Sequence, residues 1–493
     1  MNVVSENLIN HCEFEQLHLS GAIQSFGALL RVETKNNIIT HASENLANFS
    51  DVNPQDVIRK SVDTLGWFNT KYLHDLPEEL GKTKVLSHVA TGSQDQIDAM
   101  LIRGEGCILI ELEKNETKTA VIAIQQLQYP LLSAPQNKND LLDYHDLLLD
   151  AFRKITHFDR VMIYRFLDDW SGEVIAEATA EGIGSYLGLH FPASDIPQIA
   201  RNLYLKNPSR LIQDSKADAV PILGMDESVP DLTWSDLRSV SPVHLEYLEH
   251  MGVYTSFSVP IRLSGNLWGL VACHNLTSKM ITPDQRHSCI SITNAYALGV
   301  AYYLSSQRLQ ALDSVDRRID KILEALSGYD DLLEGIECSD QLLTEALNAE
   351  SFAMVVNDDV IILGESLDLN TMSIVDNWFV NTEEVTYITD NLSSVFPNSP
   401  ETLTMASGMI AIKVRSPKSN WVRFYWFRPE EPQEVTWAGN PNKPMVENAG
   451  VQRLSPRRSF EKWVEIKTGY SRSWTSEEKM TATKFRNTLM RWL

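Results

Sequence analysis

A cysteine lies close to the beginning of the chain, in NHCEFEQLHLSG, with a histidine beside it. Cys12 could be a metal ligand, a redox-active thiol, a nucleophile, a point of attachment for a ligand, or a small buried apolar residue. His11 and His18 could join it around a metal, but the segment supplies no obvious fourth ligand. A catalytic nucleophile needs a general base, and none is arranged nearby in the sequence. The thiol alone leaves these alternatives open.

A second group of chemically capable side chains lies in the middle of the chain. Asp195 follows small residues in FPASDIP, and SPVHLEYLEHMGV places His244 and Tyr247 on one helical face. Arg210 and Arg238 lie on or beside these segments, and guanidinium groups bind carboxylates in a bidentate way. These residues could be scattered core and surface groups. If they meet, they would form a pocket for an extended conjugated ligand that bears acids, with walls from Tyr164, Tyr204 and His274.

The composition limits the classes of protein to consider. A chain of 493 residues with 43% hydrophobic and 22% charged residues predicts a globular protein of about three domains. The net charge of -22 disfavours general binding to nucleic acid and adhesion to anionic membranes. Residues 451–493 are an exception, with ten Lys/Arg and four Asp/Glu, and they form either a solvated face or partners for carboxylates elsewhere.

The cysteine content and the N-terminus predict the compartment. Five cysteines with no CxxC pair indicate neither a disulfide framework nor a zinc site. The first residues lack a basic region followed by an apolar one, so no signal peptide is predicted, and no apolar run reaches 18 residues. We therefore expect a soluble cytoplasmic protein.

Periodicity divides the chain into three parts. Up to about residue 130 short helices alternate with strands, including GALLRVE, NIITHAS, MLIRGEGCILIELEKN and KTAVIAIQQLQ, and a linker LLSAPQNKND follows. A second part begins with the helix DLLDYHDLLLDAFRKIT and contains the strands FDRVMIYRFL, GEVIAEATA, YTSFSVPIRL and NLWGLVACHN. The long irregular stretch 181–240 inside it is of a length that is usually functional.

A long helix is predicted over about 285–326. Its apolar stripe packs either within one subunit or along a parallel dimer seam, and it consists of Leu309, Leu312, Val315, Ile319, Ile322 and Leu326. The third part, from about 330, repeats the style of the second. It ends with an irregular excursion, VTWAGNPNKPMVENAGVQRLSPRRSFEKWVE.

The ordered motifs resemble the photosensory module of bacterial phytochromes over essentially the whole chain. The resemblance is carried by CEFEQLHLSGAIQSFGALL, FDRVMIYRF, GEVIAEA, FPASDIP, SPVHLEYLEHMGV, WAGNPNKP and SPRRSFEKW. It implies an α+β fold of three sensory domains with central antiparallel sheets: PAS (1–130), GAF (131–308) and PHY (309–493). It also implies a PHY tongue at about 430–470 and an N-terminal figure-of-eight knot.

The resemblance also implies site residues. Cys12 matches the cysteine that forms a thioether with biliverdin, a linear tetrapyrrole, and Asp195 and His244 match the pair that organises its pyrrole NH groups. The propionate contacts would be Arg210, Arg238, Ser241, Ser256 and Ser258. The remaining pocket residues would be Tyr164, Tyr186, Phe191, Ile196, Pro197, Tyr204, Tyr247 and His274. In the tongue, Arg457 would pair with Asp195 in one light state and Ser459 would replace it in the other, while Trp437 and Trp463 exchange packing roles.

Three positions refine this expectation. Other branches of the family attach their bilin to a cysteine just before the GAF histidine, where this chain has Val243. Cys273 alternates with His274 on a strand, so it should face away from a pocket that contains His274. Cys12 is then the expected anchor. His250, which replaces a common asparagine, adds a titratable group near the pocket.

The expected function is that of a red/far-red photoreceptor without catalysis in this chain. It would form a homodimer through the long helices between the GAF and PHY domains. It would signal to an output domain, a diguanylate cyclase or a histidine kinase, or to a partner protein. The alternative is a PAS/GAF module that senses a different small ligand without photochemistry.

Overall fold

The fold divides into two units in a computed structural model. One unit comprises Met1–Tyr303 with Thr436–Trp463, and the other comprises Leu304–Val435 with Val464–Leu493. The structure describes residues 16–93, 95–115, 124–330, 332–357, 359–364, 368–396, 406–415, 421–441, 445–448, 451–454 and 460–492. Cys12, Arg457 and Ser459 lie outside these described residues.

The first unit begins with a seven-stranded sheet and continues with a second sheet flanked by helices. The strands are β1 (Ala22–Ile23), β2 (Gly27–Glu33), β3 (Ile39–Ser43), β4 (Thr83–Val89), β5 (Ile97–Gly104), β6 (Cys107–Lys114), β7 (Arg160–Phe166), β8 (Gly172–Thr179), β9 (His190–Phe191), β10 (Arg210–Ile212), β11 (Val220–Gly224), β12 (Thr255–Leu263) and β13 (Asn266–Asn275). The helices are α1 (Pro54–Val57), α2 (Lys71–His74), α3 (Ile124–Gln128), α4 (Lys138–Thr156), α5 (Gln198–Lys206), α6 (Pro242–His250) and α7 (Pro283–Ser327), the last continuing into the second unit.

The first sheet has the strand order β1-β11-β3-β2-β6-β5-β4. Alternating apolar residues bury one face, and Leu30, Leu46 and Phe49 belong to that core. β5 and β6 form a hairpin in which Gly106 adopts a φ of 64°, a conformation that favours glycine. Strand β11 comes from the irregular stretch 181–240, so this stretch completes the first sheet.

The N-terminal segment and the stretch 181–240 are joined by backbone hydrogen bonds. β1 pairs with β11, the Gln24 amide donates to the Leu237 carbonyl at 2.7 Å, and the Ser239 amide donates to the Ala22 carbonyl at 3.1 Å. A figure-of-eight arrangement would bring these two segments together. The knot itself remains a prediction.

The second sheet includes the consecutive strands β10-β12-β13-β7-β8-β9, and the two faces of this part have different environments. On one face, α4 and the first turns of α7 pack in an apolar core that contains Phe152, Phe257 and Tyr296. Helix α4 begins at the cap Asn137, whose side chain accepts from the amides of residues 139 and 140. The opposite face carries α5 and α6 and remains open for a site.

The second unit is built around a five-stranded antiparallel sheet of order β15-β14-β18-β17-β16. Its elements are α8 (Leu332–Glu337), α9 (Asp340–Ala346), β14 (Ser351–Val356), β15 (Asp359–Leu363), α10 (Leu369–Val380), β16 (Thr386–Thr389), β17 (Gly408–Val414), β18 (Val422–Arg428) and α11 (Ser476–Trp492). The chain between β18 and α11 contains β19 (Gln433–Ala438), β20 (Met445–Asn448), β21 (Val451–Leu454) and β22 (Lys462–Lys467), and β20 pairs with β21.

The α+β class and most strands predicted from alternation are confirmed. The prediction of a strand across KTAVIAIQQLQ is wrong where the structure describes it, because Ile124–Gln128 is helical. Gln and Leu have good helix propensity, and the apolar run before them does not distinguish helix from strand. Part of the C-terminal excursion forms strands, although it was expected to be irregular.

The long helix is confirmed, and its apolar stripe divides into two parts. Leu309 and Leu312 are exposed. Four residues lie in the core of the second unit, so they pack within one chain: Val315, Ile319, Ile322 and Leu326. In the described part of the chain, no helix combines the length and apolar character needed to cross a membrane.

Candidate functional site

A cavity of about 240 Å³ lies between the open face of the second sheet and helices α5 and α6. It brings together most residues that the sequence assigned to a ligand pocket. These are Tyr164, Phe191, Asp195, Ile196, Pro197, Tyr204, Arg210, Arg238, Ser241, His244, Tyr247, Ser256, Ser258 and His274.

Asp195, His244 and Tyr247 form the polar centre of one wall. Asp195 ends a short 3-10 turn just before α5, and Tyr247 Oη donates to its Oδ2 at 3.1 Å. The rings of His244 and Tyr247 are stacked with centroids 5.8 Å apart, which confirms their common helical face. Pro242 at the first position of α6 suits the start of this helix, because its fixed φ is already helical.

Two guanidinium groups lie in the cavity wall, on β10 and on the loop before α6. The side chain of Arg210 donates to the carbonyls of Arg238 and Ser239 at 2.7 and 3.0 Å. Arg238 is 5% exposed and donates to the carbonyls of Leu232 and Thr233. Burial lowers the pKa of both arginines, and the charge of Arg210 lowers that of Arg238 further. Two cations in one wall, one half-buried and one buried, favour a ligand that carries two anionic groups.

Hydroxyl groups surround these cations. Ser258 is the cross-strand partner of Arg210, and its Oγ lies 2.7 Å from Tyr204 Oη. Burial raises the pKa of Tyr204, so the phenol stays neutral and available as a donor. Ser209 Oγ is buried in the cavity wall without a hydrogen-bond partner among the described residues. A ligand with carboxylate or carbonyl oxygens would satisfy these hydroxyls.

His274 supplies a neutral imidazole to the other side of the cavity. Burial, with the charges of Arg160 and His244, lowers its pKa to about 3. Its Nδ1 is buried and lacks a partner within the described parts of the chain. An orphaned polar atom in a cavity costs free energy unless a ligand pairs with it. Its neighbour Cys273 faces the other side of the sheet, in the apolar core formed with α4 and α7, as the alternation along the strand predicted.

Several apolar residues that line the cavity were not predicted from the sequence. Met162, Leu270 and Ala272 line the cavity, and each lies an even number of residues from a predicted member on the same strand: two from Tyr164, four from His274 and two from His274. The period of two in a strand places them on that face, so this signal could have identified them. Leu203 on α5 lies beside the predicted Tyr204. Leu17 in the N-terminal segment carries no comparable signal.

Other predicted residues lie outside the cavity lining. Tyr186 packs edge-to-face on Phe191, with ring centroids 5.9 Å apart, so it supports the wall from behind. Trp437 is 8% exposed and pairs in parallel with His190 of β9. Phe460, which the sequence did not suggest, contacts the Tyr247 ring edge-to-face at 5.2 Å. Trp463 is partly buried.

Metal chemistry gains no support from the described residues. They contain no group of three or more His, Cys, Asp or Glu side chains placed to hold a metal ion. The His11–Cys12–His18 possibility depends on residues outside the described ranges. The geometry instead favours binding of a flat organic anion by guanidinium, hydroxyl and imidazole groups inside aromatic walls.

Three family models match the chain in the predicted order. A PAS fold matches residues 12–115, a GAF domain matches residues 140–294, and a phytochrome region matches residues 315–493. Together they extend over both units.

Curated relatives match nearly the full chain. Cyanobacterial phytochrome B of Nostoc sp. is 32% identical over 98% of this chain, and a bacteriophytochrome of Pseudomonas aeruginosa is 31% identical over 99%. The chain spans 66% and 67% of these relatives' own lengths, about two thirds.

Solved structures match the fold. A bacteriophytochrome from R. palustris superposes with a TM-score of 0.80 at 29% identity, covering 98% of this chain and all of the other. The phytochrome photosensory core module of Stigmatella aurantiaca gives 0.83 at 28% identity, covering 98% of this chain and 97% of the other.

Proposed function

The chain belongs to the phytochrome family, and on that premise we propose that it is a red/far-red light receptor that binds biliverdin in the cavity of the first unit. The observation that carries this proposal is the presence of two guanidiniums, the half-buried Arg210 and the buried Arg238, in the wall of an aromatic-lined cavity. Biliverdin has the matching chemistry, because it is a flat conjugated molecule with two propionates.

Different cavity residues would contact different parts of this ligand. Arg210 and Arg238 would bind the propionates, assisted by the hydroxyls of Ser241, Ser256 and Ser258. Asp195 and His244 would hold the pyrrole NH groups, with the Asp195 carboxylate offsetting their positive charge. When bound, the bilin supplies light absorption and double-bond isomerisation. The aromatic residues Tyr164, Phe191, Tyr204 and Tyr247 restrict the geometry around it, and His274 offers its neutral ring as a hydrogen-bond partner.

Cys12 would attach the bilin through a thioether. Val243 occupies the position where other branches of the family carry their cysteine, and Cys273 faces away from the cavity. Among the cysteines of the GAF part, burial raises the pKa of Cys273 and of Cys289, which makes their thiols poor nucleophiles.

The excursion after β18 would act as a tongue that responds to the state of the bilin. Trp437 pairs with β9 and Phe460 contacts Tyr247, so this segment touches the wall that holds Asp195. In one light state Arg457 would pair with Asp195, and in the other Ser459 would take its place while Trp437 and Trp463 exchange packing roles. A segment with two alternative folds is the kind of bistable element that a ligand can bias.

The signal would leave through the long helix. Leu309 and Leu312 on α7 are exposed, and a parallel homodimer would cover them. An output domain such as a diguanylate cyclase or a histidine kinase, or a separate partner, would receive the signal, and no catalysis is assigned to this chain. The domain boundaries near residues 130 and 308 remain part of this proposal.

Absorption spectra provide the decisive test. The chain is produced together with a biliverdin source, and spectra are recorded after red and after far-red light. We expect a red-absorbing band that interconverts with a far-red band. A protein that binds bilin without light-driven interconversion, or that binds none, would contradict the photoreceptor assignment.

Attachment is tested separately with Cys12→Ser and, as a matched control, Cys338→Ser, which changes an exposed thiol in the second unit. Both variants should bind bilin in the native state. After denaturation, the Cys12→Ser protein should lose the pigment while the wild type and the control retain it. Loss from the wild type as well would refute the thioether.

A further inference from the structure

Two glutamates on β6 are buried, although strands of this pattern usually expose their polar face. Glu111 is fully buried and Glu113 is 6% exposed. Their face of the first sheet is covered by the segment Leu232–Arg238, whose Leu232 and Leu237 pack with Leu29 and Met100, the cross-strand neighbours of Glu111. The two carboxyl groups therefore lie between the sheet and the segment that leads to the cavity.

Glu113 has a cationic partner. Its carboxylate accepts two hydrogen bonds from Arg286 at the beginning of α7, at 2.6 and 2.9 Å. The same guanidinium lies 3.7 Å from the Asp236 carboxylate. One cation thus serves two carboxylates, and both side chains of the Arg286–Glu113 pair are at least nine-tenths buried.

Among the described residues, no cationic side chain forms an ion pair with Glu111. Its Oε1 accepts from Ser235 Oγ at 2.5 Å, and its Oε2 is buried without a partner among the described residues. Burial and the charges of Asp236 and Glu113 raise the pKa of Glu111 to about 8, while Ser235 and Arg286 act in the opposite direction. The surroundings of Glu111 therefore favour its neutral, protonated form.

The segment held by Glu111 also holds the cationic wall of the cavity. Arg210 donates to the carbonyls of Asp236, Arg238 and Ser239 at 3.3, 2.7 and 3.0 Å. Ser235, which donates to Glu111, is the residue before Asp236. The five residues 235–239 therefore connect a buried acid with the carbonyls that fix the Arg210 guanidinium.

We propose that Glu111 is a positioning residue for the ligand-binding guanidiniums: its buried carboxyl, bonded to Ser235, fixes residues 235–239 and with them Arg210 and Arg238. This inference rests on the proposed function, because the consequence concerns a bound bilin. Loss of the proton to solvent would create a third carboxylate beside Asp236 and Glu113, and the cations that interact with this group are Arg286 and Arg210. The repulsion would displace the segment and, through its carbonyls, Arg210.

The first test is a pH titration of the biliverdin-loaded protein between pH 6 and 10. The wild type should show a step in the bilin absorption near pH 8 that is absent from Glu111→Gln, whose neutral amide keeps the low-pH spectrum. Ser235→Ala should move the step to higher pH, because the serine hydroxyl stabilises the ionised carboxyl. Asp98→Asn is the matched control. This buried carboxylate lies opposite Glu113 on β5 and contacts His88 and Asn115 instead, so the step should be unchanged.

The second test uses the protein without bilin, so that it is independent of the proposed function. A proton bound more tightly in the folded state stabilises it at low pH, and this contribution is lost as pH rises through the folded-state pKa. Between about pH 5 and pH 8 the urea midpoint of the wild type should fall more steeply than that of Glu111→Gln, and above about pH 8 the two should change in parallel. Infrared spectra at pH 7 should show a protonated carboxyl band that Glu111→Gln lacks.

The outcomes separate the two proposals. If Glu111→Gln keeps the step, or if the carboxyl band is unchanged, the positioning role is overturned. If the carboxyl band and the stability difference are present but no bilin binds, Glu111 is confirmed as a buried protonated acid. The photoreceptor function and the positioning role are then both contradicted. If bilin binds and photoconverts without a pH step in the wild type, the photoreceptor function stands and the positioning role falls.

Discussion

Tyr247 Oη lies 3.1 Å from Asp195 Oδ2, so a single phenol connects helix α6 to the loop that precedes α5. The same ring stacks on His244 and receives the edge of Phe460. One side chain therefore links the carboxylate and the imidazole of the cavity with the segment proposed as a tongue. A change at Tyr247 can be chosen to remove the hydrogen bond and keep the ring contacts.

Tyr247→Phe should retain bilin binding and lower the yield of photoconversion. The phenylalanine keeps the aromatic contacts, but Asp195 loses a hydrogen bond to a charged acceptor, a contribution of about 1.5–3 kcal/mol. The quantum yield under red light and the red/far-red difference spectrum measure the effect. Tyr186→Phe is the control, because Tyr186 packs behind Phe191 outside the cavity lining. Equal yields in the two variants would show that the hydrogen bond does not order the site.

Esterifying the two propionates of biliverdin should weaken its binding in the same way as removing a guanidinium that contacts them. Arg238→Met should weaken the binding of biliverdin at least tenfold, or about 1.4 kcal/mol, but leave the binding of its dimethyl ester nearly unchanged. The affinities for biliverdin and for its dimethyl ester are measured from the kinetics of chromophore assembly and from fluorescence quenching. Thermal melting of the variant without ligand controls for the carbonyls of Leu232 and Thr233 that lose their donor. Equal loss of affinity for both ligands would contradict a direct contact with a propionate.

Predictions from sequence were correct where the periodicity of a single segment determines which face of an element a residue occupies. They gave no information where two segments that are distant in the chain pack against each other. The alternation in NLWGLVACHN predicted that His274 and Cys273 face opposite sides of a strand, and the structure confirms it. The burial of Glu111 has no such signal, because ILIELEK alternates apolar and acidic residues in the way that is typical of a strand with one exposed face. Its burial depends on a cover more than 120 residues later in the chain, and no local pattern contains that information.

The long helix illustrates the same limit. Its stripe was recognised, but a stripe does not reveal what covers it. Val315 and Ile319 are buried by the second unit, whereas Leu309 and Leu312 are exposed on the same helix. Which residues of the stripe are buried depends on the tertiary contacts of α7 within the second unit, and the spacing of apolar residues along the helix does not contain that information.

His145 should make the stability of the first unit sensitive to acid. Burial, with the charge of Arg165, lowers its pKa to about 4, and its Nδ1 lies 2.8 Å from Tyr296 Oη. The unfolded chain binds a proton near pH 6.5, so folding loses stability as pH falls from 6.5 to 4, by up to about 1.4 kcal/mol per pH unit. His145→Gln keeps an acceptor for Tyr296 and should flatten this slope in urea titrations of the protein without bilin. An unchanged slope would assign the acid sensitivity to other groups, such as His274.

Arg428→Met should destabilise the second unit by about 3–5 kcal/mol, because it leaves Glu478 as an uncompensated buried charge. The two side chains are 2% and 3% exposed and 2.6 Å apart, and the guanidinium also lies 3.8 Å from the Trp474 ring centre. Hydrogen exchange in β17 and β18, with urea unfolding, measures the loss. Lys154→Met is the control: its partner Asp150 is exposed, and such pairs contribute about 0–1 kcal/mol. A loss at Arg428 as small as that of the control would mean that Glu478 takes up a proton or finds water when its partner is removed, and that packing around Trp474 holds this corner of the unit.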